Sequence, residues 1–327
     1  MIKGLESKRK KVLNVRLAFL TDLIRHTVIK YDELFEMKVD IKIDIFRNEA
    51  KQYRKTTSNS VKDMMVLSED RVAVIMENDK DIKILNLKDP TKDFKLIGHK
   101  KNINCICIIP NNRIVSGSDD GIILVWDLET QKDIKQFRTG EKMKLLISIR
   151  DSNSFMHIYH GDITVYDLDQ NDNYFIRRGN ILCADAISSD KIALGGFNSF
   201  ALFDMKTRLD QYQVGIGIDD AVYYIFSIPD HNLLILGLDN GRLIVFDFVK
   251  RTKLIDMEGK DISDCALLPN NKVVISFLDG KLTIFDCITK KFEKKFTDND
   301  GFIKAVDTLS DGRIISAGRD HYLKIWG

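Results

Sequence analysis

Seven times along the chain an apolar run ends on a hydrophobic pair and a turn residue. The seven endings are Ile84-Leu85-Asn86, Val125-Trp126-Asp127, Val165-Tyr166-Asp167, Leu202-Phe203-Asp204, Val245-Phe246-Asp247, Ile284-Phe285-Asp286 and Ile325-Trp326-Gly327. Successive endings lie about 41, 40, 37, 43, 39 and 41 residues apart. A period of this size marks stacked supersecondary units, each too small to bury its apolar faces alone. An acidic residue stands six positions before the aromatic or apolar residue at Asp79, Asp120, Asp279 and Asp320, with His160 in the third unit and Asn240 in the fifth. The fourth unit departs most, with Gly195-Gly196-Phe197-Asn198 at that turn.

The best-preserved unit is 98–128, which opens on Gly98-His99 and closes on Trp126-Asp127. Ile103, Ile106 and Ile108 before Pro110 read as an inner strand, 113–116 as a second and 122–126 as a third. The third follows an Asp-Gly turn that favours positive φ at the glycine. This order resembles a WD40 repeat, which implies four strands per blade of a β-propeller. Seven repeats imply an all-β, seven-bladed propeller over 38–327. The resemblance also implies a hydrogen-bonded tetrad, matched here by His99, Ser116 (or Ser118), Asp120 and Trp126, with a structural rather than catalytic role. Two of the seven units keep Trp and one keeps Gly-His, so most blades rest on apolar packing.

Residues 1–37 read differently. Leu13, Leu17, Leu20, Ile24, Thr27, Tyr31 and Leu34 alternate spacings of four and three, a heptad seam with one polar position. Val12, Phe19, Leu23, Val28, Ile29 and Phe35 widen it. The expectation is an α-helical extension that docks a partner through Leu13, Leu17, Leu20, Ile24, Tyr31 and Leu34. Packing on its own propeller is the alternative. The stretch 39–46, VDIKIDIF, alternates apolar and polar residues as a half-buried strand does, and 48–60 reads as a linker. The last unit stops after three strands and leaves an open edge. In the family an N-terminal strand closes the ring, so 39–46 is expected to pair with the final blade. The layout of helix, blades and Lys-Ile-Trp ending is also similar to heterotrimeric G-protein β subunits, which bind a small γ subunit through the helix.

Composition excludes more than it selects. Lys+Arg 50 against Asp+Glu 48 gives a net charge of +2, which does not call for nucleic acid or an acidic membrane. No stretch approaches the roughly 18 continuous apolar residues of a spanning helix. The five cysteines fall mostly in apolar strand patterns and form no CxxC pair. They read as small hydrophobes of a reduced, cytoplasmic protein. The basic run 8–11 leaves the nucleus open as a second location. The chain has no GxSxG, HExxH or GxxxxGK[ST] pattern, and its six histidines are scattered, so no enzyme, metal, cofactor or small-molecule substrate is expected.

Loops and strand ends around a propeller's channel carry its binding residues. Registering the repeats on one another selects Lys62, Asn102, Asn104, Lys142, Lys144, Tyr224, Phe302 and Lys304 at the inner-strand starts. Asp119, Tyr159 and Arg319 precede the turn positions Asp120, His160 and Asp320. Phe302, Lys304, Arg319 and Lys62 are expected to cluster where the last blade meets the first, an aromatic beside arginine being typical of an interface hot spot. Asp119, Lys142, Lys144 and Tyr159 form the opposite arc. The function read from the sequence is a non-catalytic scaffold in a multiprotein complex, its rim binding a protein or peptide and its helix a second partner. Other readings are a ubiquitin-ligase substrate receptor, an RNA- or ribosome-associated protein, and a G-protein β-like signalling subunit.

Overall fold

The structure is a computed structural model that describes residues 51–55, 60–143, 145–217, 220–259, 261–297 and 302–327. The expected helix and its docking residues, the stretch 39–46, the boundary at 37/38 and Lys144 lie outside the described residues. Among the described residues the helical elements are two 3-10 turns, Pro90–Lys92 and Pro229–His231, and the rest is strand and turn.

The strands form seven four-stranded antiparallel sheets, each built from consecutive strands except the last. We number them as blades: 61–97, 103–138, 145–176, 181–215, 222–258 and 262–297 are blades 1 to 6, and 303–326 with Lys51–Lys55 makes blade 7. Within each blade the first strand is innermost. The second strands are apolar without alternation, as in Leu233–Leu238, where all six residues are buried. A strand reads this way when both faces of its sheet are covered. The covering is done by neighbouring blades. One apolar cluster joins blades 1 and 2 through Ile75, Ile84, Ile114 and Trp126, and equivalent clusters fill the other junctions, including that of blades 7 and 1. The outer strands are polar and mostly exposed, as in Lys132–Arg138, KDIKQFR.

Ring closure differs from the sequence expectation. The strand that completes blade 7 is Lys51–Lys55, antiparallel to Tyr322–Trp326, with Lys51 opposite Ile325 and Lys55 opposite Tyr322. The stretch 39–46 therefore does not hold that place, and part of the expected linker does. The physical reason lies in the position. An outermost strand contributes backbone hydrogen bonds and has no second sheet to cover its outer edge, so apolar alternation is not its signature. KQYRK has the polar composition of the other outer strands.

The tetrad of blade 2 is complete. Trp126 Nε1 donates to Ser116 Oγ at 2.8 Å, and Ser116 Oγ lies 2.7 Å from His99 Nε2. The hydroxyl therefore donates to Nε2, and His99 Nδ1–H donates to Asp120 Oδ2 at 3.1 Å. Burial holds the imidazole below its usual pKa against the pull of Asp120, which keeps the ring neutral in this tautomer. Ser116 is the hydroxyl that serves, whereas Ser118 donates to the Lys101 carbonyl. Blade 7 keeps half of the arrangement, Trp326 Nε1 donating to Ser316 Oγ at 2.9 Å. In blades 7 and 1 a lysine four residues on approaches the turn acid, Lys324 to Asp320 at 2.5 Å and Lys83 to Asp79 at 3.5 Å.

The repeated acids have turn-forming duties as well. Asp79, Asp120, Asn240, Asp279 and Asp320 each accept the N–H two residues on. Asp127, Asp167, Asp204, Asp247 and Asp286 each accept two N–H groups of the following turn. A side-chain oxygen that satisfies turn amides selects the turn locally.

These assignments predict the outcome of two truncations. A chain begun at Asn48 keeps the closing strand and melts within about 2 °C of the full chain, whereas one begun at Ser60 opens the edge of blade 7 and melts at least about 5 °C lower. Differential scanning calorimetry of the three chains checks this. Equal melting of the two truncated chains would remove Lys51–Lys55 from its closing role.

Candidate functional site

The channel wall is made of innermost strands, whose inner edges have no further strand to bond. Four carboxylates serve some of those edges across blade junctions. Asp307 Oδ2 accepts from Val66 N at 2.6 Å, Asp264 Oδ2 from Val306 N at 2.9 Å, Asp185 Oδ2 from Ser227 N at 2.7 Å, and Asp63 accepts from Ile106 N. Each ties one blade to the next in chain order, blade 7 being followed by blade 1. Arg150 adds a further tie, its Nε donating to Ala186 O at 2.7 Å and its Nη2 to Ser227 O at 3.2 Å. Burial in the wall raises all four carboxyl pKa values against the pull of the N–H donors, Asp63 to about 6 and Asp264 to about 8. These acids are structural.

Six of the seven innermost strands have a register irregularity after their first residue, between Val61/Asp63, Ile103/Cys105, Ile181/Cys183, Val222/Tyr224, Ile262/Asp264 and Ile303/Ala305. An extra residue in a strand re-aims its side chain. Here the extra residues are Lys62, Asn104, Leu182, Tyr223, Ser263 and Lys304, at the strand starts that form the channel mouth. The irregularity also separates two tyrosines. Tyr224, selected from the sequence, donates to Asp264 Oδ1 at 3.1 Å in the channel wall, while Tyr223 is 54% exposed.

The expected rim residues divide into three groups. Lys62 donates to Asn104 Oδ1 and to the Ile103 carbonyl, and Asn104 Nδ2 donates to Asp119 Oδ1 at 2.7 Å and to Met143 O at 2.9 Å. Asn102 reaches Asn78 at 3.4 Å. These four residues tie blades 1 to 3 together. Phe302 and Arg319 come together as expected, the guanidinium 4.7 Å from the ring centroid and Phe302 45% exposed. Lys304 is half-buried on the adjacent strand, whereas Lys62 turns to blade 2 and leaves this cluster.

Lys142 and Tyr159 line a groove of about 690 Å³ at the mouth of blades 3 to 5, together with Glu141, His160, Phe197 and Tyr223. Leu145, Ile158, Ile181 and Leu182 supply its apolar floor. Three features create it. The connection from blade 3 to blade 4 is short, 177–180. Asp162 Oδ1 holds that connection down by accepting the Arg178 and Gly179 N–H groups at 2.8 and 3.1 Å. The Asn180 backbone lies so close to Gly161 and Gly196 that a Cβ on either would come within 2.3 and 2.5 Å of it. No counterpart of His99 rises from this connection. Phe197, at the turn where blade 2 has Asp119 and Asp120, is 53% exposed. Tyr159 Oη donates to Glu141 Oε2 at 2.6 Å, which raises the phenol's pKa. Beneath it His157 is buried, and burial pushes its imidazole down to about 4.

Phe197, Tyr223, His160 and Glu141 were not among the residues selected from the sequence. The signal for Phe197 was its place six residues before Phe203, where the second and third units have Asp120 and His160, hidden by the irregular fourth repeat. The five cysteines are free and buried. Among the described residues no group of three or more His, Cys, Asp or Glu is arranged to hold a metal ion. Nor is any helix among them long and apolar enough to cross a membrane.

Seven stacked blades, turn acids in register and a complete tetrad define a seven-bladed β-propeller built on repeats of the WD40 type. The family description "WD domain, G-beta repeat" matches residues 90–127 and 290–327. A putative BTB/POZ domain and WD-repeat protein of Acanthamoeba polyphaga mimivirus is 25% identical over 203 residues, 58% of this chain and 40% of that relative. A WD repeat-containing protein 53 homolog of Dictyostelium discoideum is 24% identical over 218 residues, 64% of this chain and 50% of the relative. The chain thus spans half or less of the length of these two curated relatives. The WD40 propeller domain of Doa1 superposes with a TM-score of 0.71 at 17% identity, over 85% of this chain and 97% of that one, which shows the fold.

The channel carboxylates predict a pH dependence. Unfolded, Asp264 loses its proton near pH 4; folded, it keeps it until about pH 8. The stability due to the protonated form is whole below pH 4 and lost as pH rises through 8. Asn at 264 does not titrate. The difference in urea midpoint, native chain minus Asp264→Asn, is therefore expected to fall from pH 4 to about pH 8 and to level off above it. A difference that stays constant would mean that the carboxyl is ionised throughout.

Proposed function

We propose that the protein is a non-catalytic interaction scaffold that holds an extended segment of a protein partner in the groove of blades 3 to 5. The observation that carries this reading is the pair of half-exposed aromatic rings, Phe197 and Tyr223, on an apolar floor at the channel mouth. Aromatic side chains in a concave, largely apolar setting are the usual anchors of protein interfaces. The rest of the mouth supports the choice by contrast. The arc of blades 1 and 2 uses its polar groups on itself, and Arg319 already covers one face of Phe302. The apolar segment 13–34 is, on its heptad pattern, the second docking element of this scaffold. A zebrafish relative, 20% identical over 76% of this chain, is a p21-activated protein kinase-interacting protein 1-like. Its name describes a partner-binding role of the kind proposed here.

The test is quantitative affinity capture from cell extract with the full chain and with the double variant Phe197→Ala/Tyr223→Ala. Both residues are surface-exposed, so each substitution changes stability by no more than about 0.5 kcal/mol. Partners that use the groove are expected to bind the variant at least about tenfold more weakly. A folded variant that retains every stoichiometric partner at native yield would refute the assignment.

A further inference from the structure

The groove's chemistry goes beyond the presence of a peptide, and the following rests on the peptide-binding reading. We infer that the side chain entering the groove is basic: a lysine or arginine of the partner, held among Tyr159, Phe197 and Tyr223 and facing the Glu141 carboxylate.

Three observations converge. The three aromatic residues come from three consecutive blades and line one cavity. The faces of aromatic rings are electron-rich and attract cations. Elsewhere this protein fills such faces from its own chain. Arg208 lies 4.8 Å from the ring centroid of Tyr174, Arg251 4.4 Å from Tyr212, Arg178 5.2 Å from Phe203, Lys135 5.1 Å from Phe137 and Arg319 4.7 Å from Phe302. Phe197 and Tyr223 remain more than half exposed at the mouth, and among the described residues no Lys or Arg stands over either ring.

The second observation is a fixed negative charge. Glu141 Oε2 is held by the Tyr159 hydroxyl at 2.6 Å, which leaves Oε1 to accept from a ligand. The third is the condition of the neighbouring cations. Arg178 is paired with Asp210 through both carboxylate oxygens at 2.6 and 2.7 Å. Arg242 is divided between Asp220 and Asp256 at 2.9 and 2.6 Å. Lys142 is on the groove wall but exposed, and it makes no ion pair with Glu141. Its flexible stem leaves the ammonium in water. A fixed carboxylate beside uncovered ring faces favours a cation over an aliphatic or acidic anchor.

The experiment is selection of a random heptapeptide library on the immobilised full chain, with the Phe197→Ala/Tyr223→Ala variant as the subtraction. Fluorescence polarisation then compares the best groove-dependent peptide with a copy in which citrulline replaces its arginine, or norleucine its lysine. The expected result is enrichment of Arg or Lys at one position, with loss of about five- to thirtyfold in affinity when that charge is removed. Glu141→Gln should weaken the charged peptide and leave its neutral copy unchanged. Groove-dependent winners that lack a basic residue, or that are indifferent to its neutral replacement, would overturn the inference and leave the peptide-binding reading standing. Failure to obtain any peptide that depends on Phe197 and Tyr223 would overturn both.

Discussion

The interaction on which the whole molecule depends is the burial of both faces of every blade against its neighbours. A four-stranded sheet with two apolar faces has no stable existence alone, because covering one face leaves the other in water. Stacking solves this for interior blades and leaves two bare faces at the ends of the stack. Only closure into a ring removes them. The apolar cluster between blades 7 and 1, which includes Val61, Val74, Ala305 and Leu323, is thus of one kind with the other six. Pairing of Lys51–Lys55 with the last strand follows from the same requirement, since it joins the segment just before blade 1 to the last blade within one sheet.

Once packing has fixed the ring, polar groups have a narrower task. Blade 2 has a complete tetrad, and its neighbours do without. A buried polar network stabilises only when each member has a partner, so partial loss by substitution is worse than replacement by apolar or ion-paired groups. The other blades show both replacements. Phe203 and Phe285 fill blade interiors in register with Trp126, and in blades 1 and 7 a lysine attends the turn acid. The channel carboxylates follow the same rule along the inner edge: each satisfies an N–H of the next blade's innermost strand, and the burial this position imposes raises its pKa.

Much of this was legible in the sequence because the determinants are local. The period, the turn acids and the Gly-His to Trp-Asp frame of residues 98–128 all act within one blade. Three things were not legible, each for a physical reason. The closing strand Lys51–Lys55 lacks alternation because its position does not require any. Tyr224 was taken for the exposed tyrosine because an extra residue at the strand start shifts the side-chain order by one, and that irregularity leaves no mark in the pattern of apolar residues. Lys62, Asn104 and Asp119 are bonded to one another or to the next blade, and whether a rim side chain is free or so bonded depends on contacts about 40 residues apart in the chain.

The groove sits where the repeat is least regular, and that coincidence has a cause. A regular repeat spends its upper loop on a histidine that plugs the blade and on an acid that holds it, as His99 and Asp120 do. The connection into blade 4 lacks the histidine, as the other connections do, but it is also held down by Asp162 and uses Gly161 and Gly196 to let the Asn180 backbone lie flat. The space a conserved-type loop would occupy is then open, and the turn residue, released from rim hydrogen bonding, is a phenylalanine. Such a departure has a cost in blade stability that ordinary packing does not require. Local violations of an otherwise consistent pattern are where function is expected to reside. The same reasoning explains why the complete tetrad, the most recognisable part of the chain, reveals its fold and says little about what it binds.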